Sequence, residues 1–113
     1  MYEGKTTIAP NVLITIAKLT TLNVPGVSRL CINPPGVYRL FKGKFQEGVR
    51  IEVKEDTVYA EIHVVLTKDV NLREVSRNIQ QQVSRSISEM VGMPVGGVNV
   101  HIEDIDYIRE NEA

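Results

Sequence analysis

The chain is 113 residues long, with 42% hydrophobic residues, 24% charged residues and a formal net charge of -1. This composition predicts a single folded domain spanning residues 1–113, ordered from about residue 4 to 108 with frayed termini, and it excludes a large multidomain enzyme. No apolar run approaches the roughly 18 residues that a membrane span requires, so no direct span is expected.

Charge and cysteine content bear on the partners and the compartment. A net charge of -1 provides little attraction to a phosphate backbone, which makes nucleic acid an unfavoured partner. Cys31 has no second cysteine to pair with, and its apolar neighbours predict a small buried side chain. Together with the lack of an N-terminal signal peptide, this predicts a cytoplasmic protein.

The first half of the chain predicts one helix and two short strands. Pro10 suits a first helical turn, and Pro25 with Gly26 ends the segment, which predicts a helix over 10–22. Its predicted buried stripe comprises Val12, Leu13, Ile16, Ala17 and Leu19. Strands are expected over 27–32 and 37–41, separated by Asn33-Pro34-Pro35-Gly36, and a loop is expected over 42–48.

The second half predicts a hairpin, a long helix and a last strand. Apolar and polar residues alternate over 49–54 and 58–66, with a reversal at Glu55-Asp56-Thr57, as in an antiparallel hairpin. A long amphipathic helix is expected between an N-cap at Asn71 and a stop at Gly92. Its apolar stripe comprises Leu72, Val75, Ile79, Val83, Ile87 and Met90. Alternation from Val98 to Glu103 predicts the last strand.

The fold class follows from the need to cover each apolar face. Three strands carry one apolar face each and two helices carry one apolar stripe each, so both helices can pack on the same side of the sheet. The predicted fold is α+β, a two-layer sandwich with a small, mostly antiparallel sheet and two helices packed on one face. The other sheet face is expected to be polar and open to solvent.

The polar strand faces hold the only residues that invite a chemical interpretation. His63 and His101 fall near Glu61 and Glu103, so a metal site of two histidines and a carboxylate is conceivable, with two exposed histidines as the simpler alternative. No compact ligand motif, nucleophile elbow or phosphate-binding glycine loop accompanies them. We therefore predict no catalytic residue, no cofactor and no metal ligand.

A small nucleic-acid-binding module with a K-homology-like layout is the alternative function. That module clamps nucleotides with a GXXG loop, and this tetrad does not occur in the sequence. The basic residues Arg77, Arg85, Lys42 and Lys44 form no continuous stripe. Nucleic acid therefore stays the second choice.

The segment 40–45 is an unusual one, because two phenylalanines alternate with lysines beside a glycine. Aromatic side chains supply contact area and lysines supply orientation, so this segment could contact a partner. Alternatively, Phe41 and Phe45 could fold back and cover the edge of the core. The sequence leaves both possibilities open.

Several motifs, taken in order, resemble the alkaline shock protein family, an envelope stress response family of mostly Gram-positive bacteria. The resemblance covers nearly the whole chain, from Gly4 to about Ile105. The motifs are Ile8-Ala9-Pro10-Asn11-Val12-Leu13, Val24-Pro25-Gly26-Val27, Gly48-Val49-Arg50-Ile51, the strand from Tyr59 to Leu66, Ile79-Gln80-Gln81-Gln82-Val83, Met90-Val91-Gly92-Met93 and Val98-Asn99-Val100-His101-Ile102.

The resemblance implies a non-enzymatic, cytoplasmic interaction or scaffold protein. It implies self-association, attachment at the membrane through a membrane-anchored protein partner, and a role in cell-envelope stress homeostasis, with no catalytic residues to transfer. The mixed-sign sheet face and the aromatic segment are the candidate partner surface, because opposite charges can set the register of a partner. Its residues are Phe41, Lys42, Lys44, Phe45, Arg50, Glu52, Glu61, His63 and His101.

Overall fold

The computed structural model describes residues 3–32 and 44–107, with only the backbone described for 44–46. The described elements, in chain order, are helix α1 (Pro10–Leu22), strands β1 (Val27–Leu30), β2 (Lys44–Gln46), β3 (Val49–Lys54) and β4 (Thr57–Thr67), helix α2 (Leu72–Val91) and strand β5 (Val95–Asp106). Both helices pack on one side of the sheet, so the predicted α+β class is confirmed.

Both helices begin and end where their terminal residues predict. Pro10 occupies the first turn of α1, where its missing N–H costs no hydrogen bond. The Asn71 side chain accepts a hydrogen bond from the backbone N–H of Glu74 at 3.0 Å, and Gly92 ends α2 in the left-handed conformation. Local capping chemistry is therefore sufficient to fix these boundaries.

Strand β4 is the centre of the sheet. One of its edges pairs antiparallel with β3 along its first half and with β1 near its end. Its other edge pairs parallel with β5, and β2 pairs antiparallel with β3. The parallel pair follows from the connection through α2, since a helical crossover returns the chain in the same direction. The sheet is mostly antiparallel, as predicted.

The β3–β4 reversal is a tight turn at Glu55 and Asp56, whose φ angles of 51° and 64° suit a hairpin turn of the type I′ class. The predicted loop over 42–48 is partly wrong. Residues 44–46 form β2, which pairs with Val49–Ile51 across a turn at Glu47 and Gly48. Pairing supplies the hydrogen bonds of a strand even where the sequence does not alternate, so alternation alone missed it.

The first-half strands also differ from their predicted bounds. The strand expected over 27–32 ends at Leu30. The strand candidate over 37–41 and the turn at residues 33–36 lie outside the described residues. Cys31, predicted to be buried, is only half-buried, because the strand has ended before it and its side chain is no longer held against the core.

The core lies between the helices and the inner face of the sheet. It contains Val58, Ala60, Ile62, Val64 and Leu66 of β4 with Val75, Ile79, Val83 and Ile87 of α2. The predicted stripe of α1 is partly wrong: Val12 is 45% exposed and Leu19 is 54% exposed. The buried side of α1 is formed by Leu13, Ile14, Ile16, Ala17 and Thr21.

The exposed ends of α2 are a second departure. The predicted buried stripe of this helix ends at Leu72 and Met90, and both residues are exposed. Each lies in a terminal turn of the helix. The core extends over the middle of α2 and does not reach its first and last turns, so helical spacing alone overestimates the length of the buried stripe.

Candidate interaction surface on the outer sheet face

The outer face is the side of the sheet turned away from the helices, and three neighbouring strands place polar side chains on it. Arg50 of β3 is the register partner of Glu61 of β4. On the other edge of β4, Asn99 pairs with Glu61 and His101 pairs with His63. Because side chains alternate along a strand, these residues lie together on one face, as the alternation of the sequence predicts.

The two histidines form a stacked pair. Their ring centroids are 4.5 Å apart and their planes differ by 15°. His63 Nδ1 lies 2.6 Å from Glu103 Oε2, and His101 Nε2 lies 2.6 Å from Glu61 Oε1. An ionised carboxylate can only accept hydrogen bonds, so each of these ring nitrogens carries a proton and donates it. Each histidine is thus oriented by its own carboxylate.

Glu103 reaches His63 because β5 contains an irregularity. Ile102 pairs with Val64, whereas Asp104 pairs with the next residue, Val65. Glu103 is therefore the extra residue of a bulge, a device that redirects side chains. Sequence alternation does place Glu103 on the polar face, but it contains no sign of the bulge.

Glu61 is the carboxylate shared by the largest number of partners on the outer face. It accepts hydrogen bonds from Asn99 Nδ2 and His101 Nε2, and Arg50 lies 3.8 Å from Glu61 Oε2. Burial by itself raises the pKa of Glu61, but the two hydrogen bonds and the neighbouring charges of His101 and Arg50 outweigh it. The net effect is a pKa of Glu61 below its ordinary value. Glu61 is therefore held as a carboxylate in the folded protein.

The prediction of an open outer face with two exposed histidines is wrong. The exposed fraction is 2% for His63 and 9% for Arg50. The Arg50 guanidinium lies near both Glu52 and Glu61, so the charged groups cover and neutralise one another across strands about 4.8 Å apart. His101 remains partly exposed, with 43% of its side chain accessible.

A second polar cluster lies near the ends of β1 and β5. Arg29 Nε donates to Asp106 Oδ2 at 3.0 Å, and Ser28 Oγ donates to the same oxygen at 2.7 Å. The Arg29 and Ser28 hydrogen bonds lower the pKa of Asp106, and Asp106 raises the pKa of Arg29. Because β1 and β5 pair with opposite edges of β4, this ion pair spans the central strand. The sequence analysis missed it, since the partners are 77 residues apart.

The remaining candidate residues are less defined. Phe41 and Lys42 lie outside the described residues, and Lys44 and Phe45 belong to β2, of which only the backbone is described. Among the described residues, no group of three or more His, Cys, Asp and Glu side chains is placed to hold a metal ion. The two histidines contact separate carboxylates on the outer face.

The helices also bear on membrane crossing. In the described part of the chain, neither α1 nor α2 combines the length and the apolarity needed to cross a bilayer. The observed class is a small α+β protein with two helices on one sheet face and a neutralised charge network on the other.

Comparison with known proteins gives the family. The model of the alkaline shock protein family, described as having a "cell envelope-related function", matches residues 1–107. The chain therefore belongs to this family, and the resemblance drawn from the sequence motifs is confirmed.

Two relatives have similar lengths. An uncharacterized protein of Streptococcus pyogenes, Spy1535, is 35% identical over 105 residues, covering 92% of this chain and 81% of its own. The uncharacterized protein YqhY of Bacillus subtilis is 27% identical over 108 residues, covering 94% of this chain and 80% of its own.

Solved structures support the architecture. A structure of MamM-CTD superposes with a TM-score of 0.53 at 10% identity, covering 85% of this chain and 99% of that one. A variant of MamM-CTD gives a TM-score of 0.52 at 9% identity, covering 89% of this chain and 100% of that one. At this level of identity the likeness concerns the fold alone.

Proposed function

We propose that this protein is a non-enzymatic interaction protein, folded as one domain, that acts in cell-envelope stress homeostasis. In this proposal it is cytoplasmic, associates with itself, and is held at the membrane periphery by a membrane-anchored protein partner. The observation that carries the proposal is the family match over residues 1–107, whose description is a cell envelope-related function.

The outer face is compatible with such a role. Its ionisable side chains are committed to one another, as in the Glu61–His101 and His63–Glu103 pairs. Groups held in this way have fixed positions, and a fixed pattern of opposite charges can set the register of a protein partner. The proposed partner surface therefore keeps the partly accessible Glu52 and His101 and adds the aromatic segment around Phe41 and Phe45.

The alternative of a nucleic-acid-binding module gains nothing from the structure. Arg29, Arg50 and Lys18 each lie beside a carboxylate, at 3.0 Å from Asp106, 3.5 Å from Glu52 and 2.7 Å from Glu47. Guanidinium and ammonium groups neutralised in this way contribute little to phosphate binding, which depends on releasing condensed counterions.

A membrane-binding experiment tests the proposal. Purified protein is mixed with membranes from its own bacterium, with the same membranes after protease treatment, and with protein-free vesicles of phosphatidylglycerol. We expect co-sedimentation with untreated membranes only, because a protein and not lipid supplies the binding site. Equal binding to protein-free vesicles, or no binding to untreated membranes, would overturn the proposed anchoring.

A titration with generic single-stranded RNA at low salt separates the proposal from its alternative. We expect no saturable binding. Tight binding whose affinity falls steeply with salt would instead establish a nucleic-acid-binding module. The substitution Glu52→Lys, at a side chain that is partly accessible on the outer face, is expected to weaken binding to untreated membranes while leaving the urea midpoint of unfolding nearly unchanged.

A further inference from the structure

Helix α1 has two apolar sides. One side packs in the core through Leu13, Ile14, Ile16 and Ala17. The opposite side carries what we call the exposed stripe: Ile8, Val12, Thr15, Leu19 and Leu22. At about 100° per residue, its four helical members fall within an arc of about 80°. A helix that is apolar all round is normally buried all round, so the exposed stripe is unusual for a surface.

The exposed stripe carries no charge. Thr15 donates its hydroxyl to the Asn11 carbonyl at 2.9 Å, so the polar atom is satisfied on its own helix. Lys18 is the only charged residue of α1, and its ammonium group lies 2.7 Å from Glu47 Oε2. Met90 of α2, 71% exposed, forms one wall of a shallow apolar groove beside Val12 and Leu19. A methionine is well suited to such an edge, because its flexible side chain adapts to different neighbours.

The spacing of the exposed stripe is that of a helix-pairing seam. Ile8, Val12, Thr15, Leu19 and Leu22 are separated by four, three, four and three residues, the repeat that lets one helix pack against another. The pattern is also nearly symmetric about Thr15. A second α1 laid antiparallel on the first places Val12 opposite Leu19 and Ile8 opposite Leu22, with the small Thr15 at the centre of the contact.

We propose that the exposed stripe is the site where a second copy of this chain docks, α1 against α1 in antiparallel orientation about a two-fold axis. The proposal rests on the self-association proposed above and assigns it to a surface. A two-fold contact requires a patch that is complementary to itself, and an uncharged, nearly symmetric seam meets this requirement without repulsion between like charges.

Other occupants fit less well. A helix that lies on a lipid surface usually carries lysine and arginine along its flanks, whereas the single lysine of α1 is already paired with Glu47. A helix that selects a different protein usually does so through charges beside the seam, and α1 offers no free charge there. The seam is short, about 20 Å, and falls below the usual area of a stable interface, so we expect a weak, concentration-dependent dimer.

The first test is sedimentation equilibrium of the wild-type chain and of the single variants Leu19→Glu and Val12→Lys. Each variant places a charge within the apolar seam, and we expect the apparent Kd of the dimer to rise about tenfold or more. Gln81→Glu, at an exposed position on α2, is the matched control and should leave the Kd unchanged. Circular dichroism and urea midpoints check that every variant is folded, as the exposure of Val12 and Leu19 leads us to expect.

The second test is rescue between the two variants. In an antiparallel pair the carboxylate introduced by Leu19→Glu in one copy meets the ammonium group introduced by Val12→Lys in the other. An equimolar mixture of the two variant chains should therefore dimerise more tightly than either variant alone. Such rescue requires α1 to face α1 of a second copy, which no other occupant provides.

Each outcome bears on a distinct claim. A wild-type chain that stays monomeric at every concentration would refute the proposed self-association and this inference with it. A wild-type chain that assembles equally well with either substitution would refute this inference alone. If both variants weaken assembly but the mixture shows no rescue, the stripe contacts some other surface, and the antiparallel α1 pair is wrong.

Discussion

At the scale of the residue, Glu61 shows how a buried carboxylate can remain charged. It sits on the central strand, where burial disfavours the ionised form, yet Asn99, His101 and Arg50 provide two hydrogen bonds and positive charge. The pKa of Glu61 is lowered, and a lowered pKa means that folding favours the ionised form. The contribution of Glu61 to stability is therefore present above the pKa of the unfolded chain and is lost as the pH falls.

The substitution Glu61→Gln tests this account. At pH 7 we expect a loss of roughly 1 to 3 kcal/mol in the free energy of unfolding, because the charged acceptor is removed while its donors remain buried. Below about pH 4 the difference from wild type should shrink, since Glu61 of the wild type then becomes protonated. Urea titrations at several pH values measure both effects.

A matched control and a contrary result complete the test of Glu61. Glu89→Gln removes the carboxylate of an exposed ion pair with Arg85 on α2 and should change little at any pH. A deficit for Glu61→Gln that is the same at pH 7 and at acidic pH would show that the carboxylate charge does not stabilise the fold.

At the scale of the element, Gly48 marks a point where three chain segments meet. Its carbonyl accepts the backbone N–H of His63 at 2.9 Å, and the carbonyl of His63 accepts the N–H of Cys31 at 2.8 Å. Gly48 has a φ of 88°, and a Cβ at this position would lie 2.7 Å from the Cys31 carbonyl oxygen. Both the conformation and the available space therefore require glycine.

A comparison of two glycine substitutions separates these requirements. Gly92 also has a positive φ, of 78°, but a Cβ there would meet no atom within 4 Å. We expect Gly92→Ala to cost about 1 to 2 kcal/mol from backbone strain alone. Gly48→Ala should cost distinctly more, because backbone atoms must also move. Equal losses in urea denaturation would show that the contact with Cys31 relaxes freely.

The helix–sheet contact is tested at the same scale by Ile79→Ala. Ile79 is 0% exposed and lies at the middle of the buried stripe of α2. Its truncation leaves a cavity and should reduce the free energy of unfolding by about 2 to 5 kcal/mol. Gln81→Ala, at an exposed position on the same helix, should be nearly silent. Similar denaturation midpoints for the two variants would show that the orientation of α2 is wrong.

At the scale of the whole molecule, stability is concentrated on β4. This strand pairs on one edge with β1 and β3 and on the other with β5, and it supplies five residues to the core. β5 contributes to the sheet through its pairing with β4, and β1 makes a contact of only four residues. Opening β4 requires disruption of the entire sheet, whereas the flanking strands can open locally.

Amide hydrogen exchange measures this difference. We expect the slowest exchange at the amides of Ile62, Val64 and Leu66, with a protection that follows the global free energy of unfolding. The amides of β1 should exchange faster, through local opening. Protection at β1 equal to that of β4 would show that the sheet opens only as a single unit.

Local patterns in the chain were enough to predict the helix boundaries, the hairpin, the α+β class and the family, because each depends on nearby residues or on an ordered series of motifs. The proline at the start of α1, the Asn71 cap and the Gly92 stop act within a few residues, and alternation assigned Glu61, His63 and His101 to one sheet face. Short-range rules of this kind need no knowledge of neighbouring elements.

Contacts between distant segments settle which side of α1 is buried, how β5 is paired, and how the outer face is neutralised. A helix that is apolar on both sides carries no preference in its own spacing, so the sheet and α2 selected Leu13 and Ile14 for burial and left Val12 and Leu19 exposed. The contacts of Glu61 with His101 and of Arg29 with Asp106 join residues 40 and 77 positions apart. Such pairs form because folding brings distant strands within hydrogen-bonding distance, and periodicity within one segment cannot encode them.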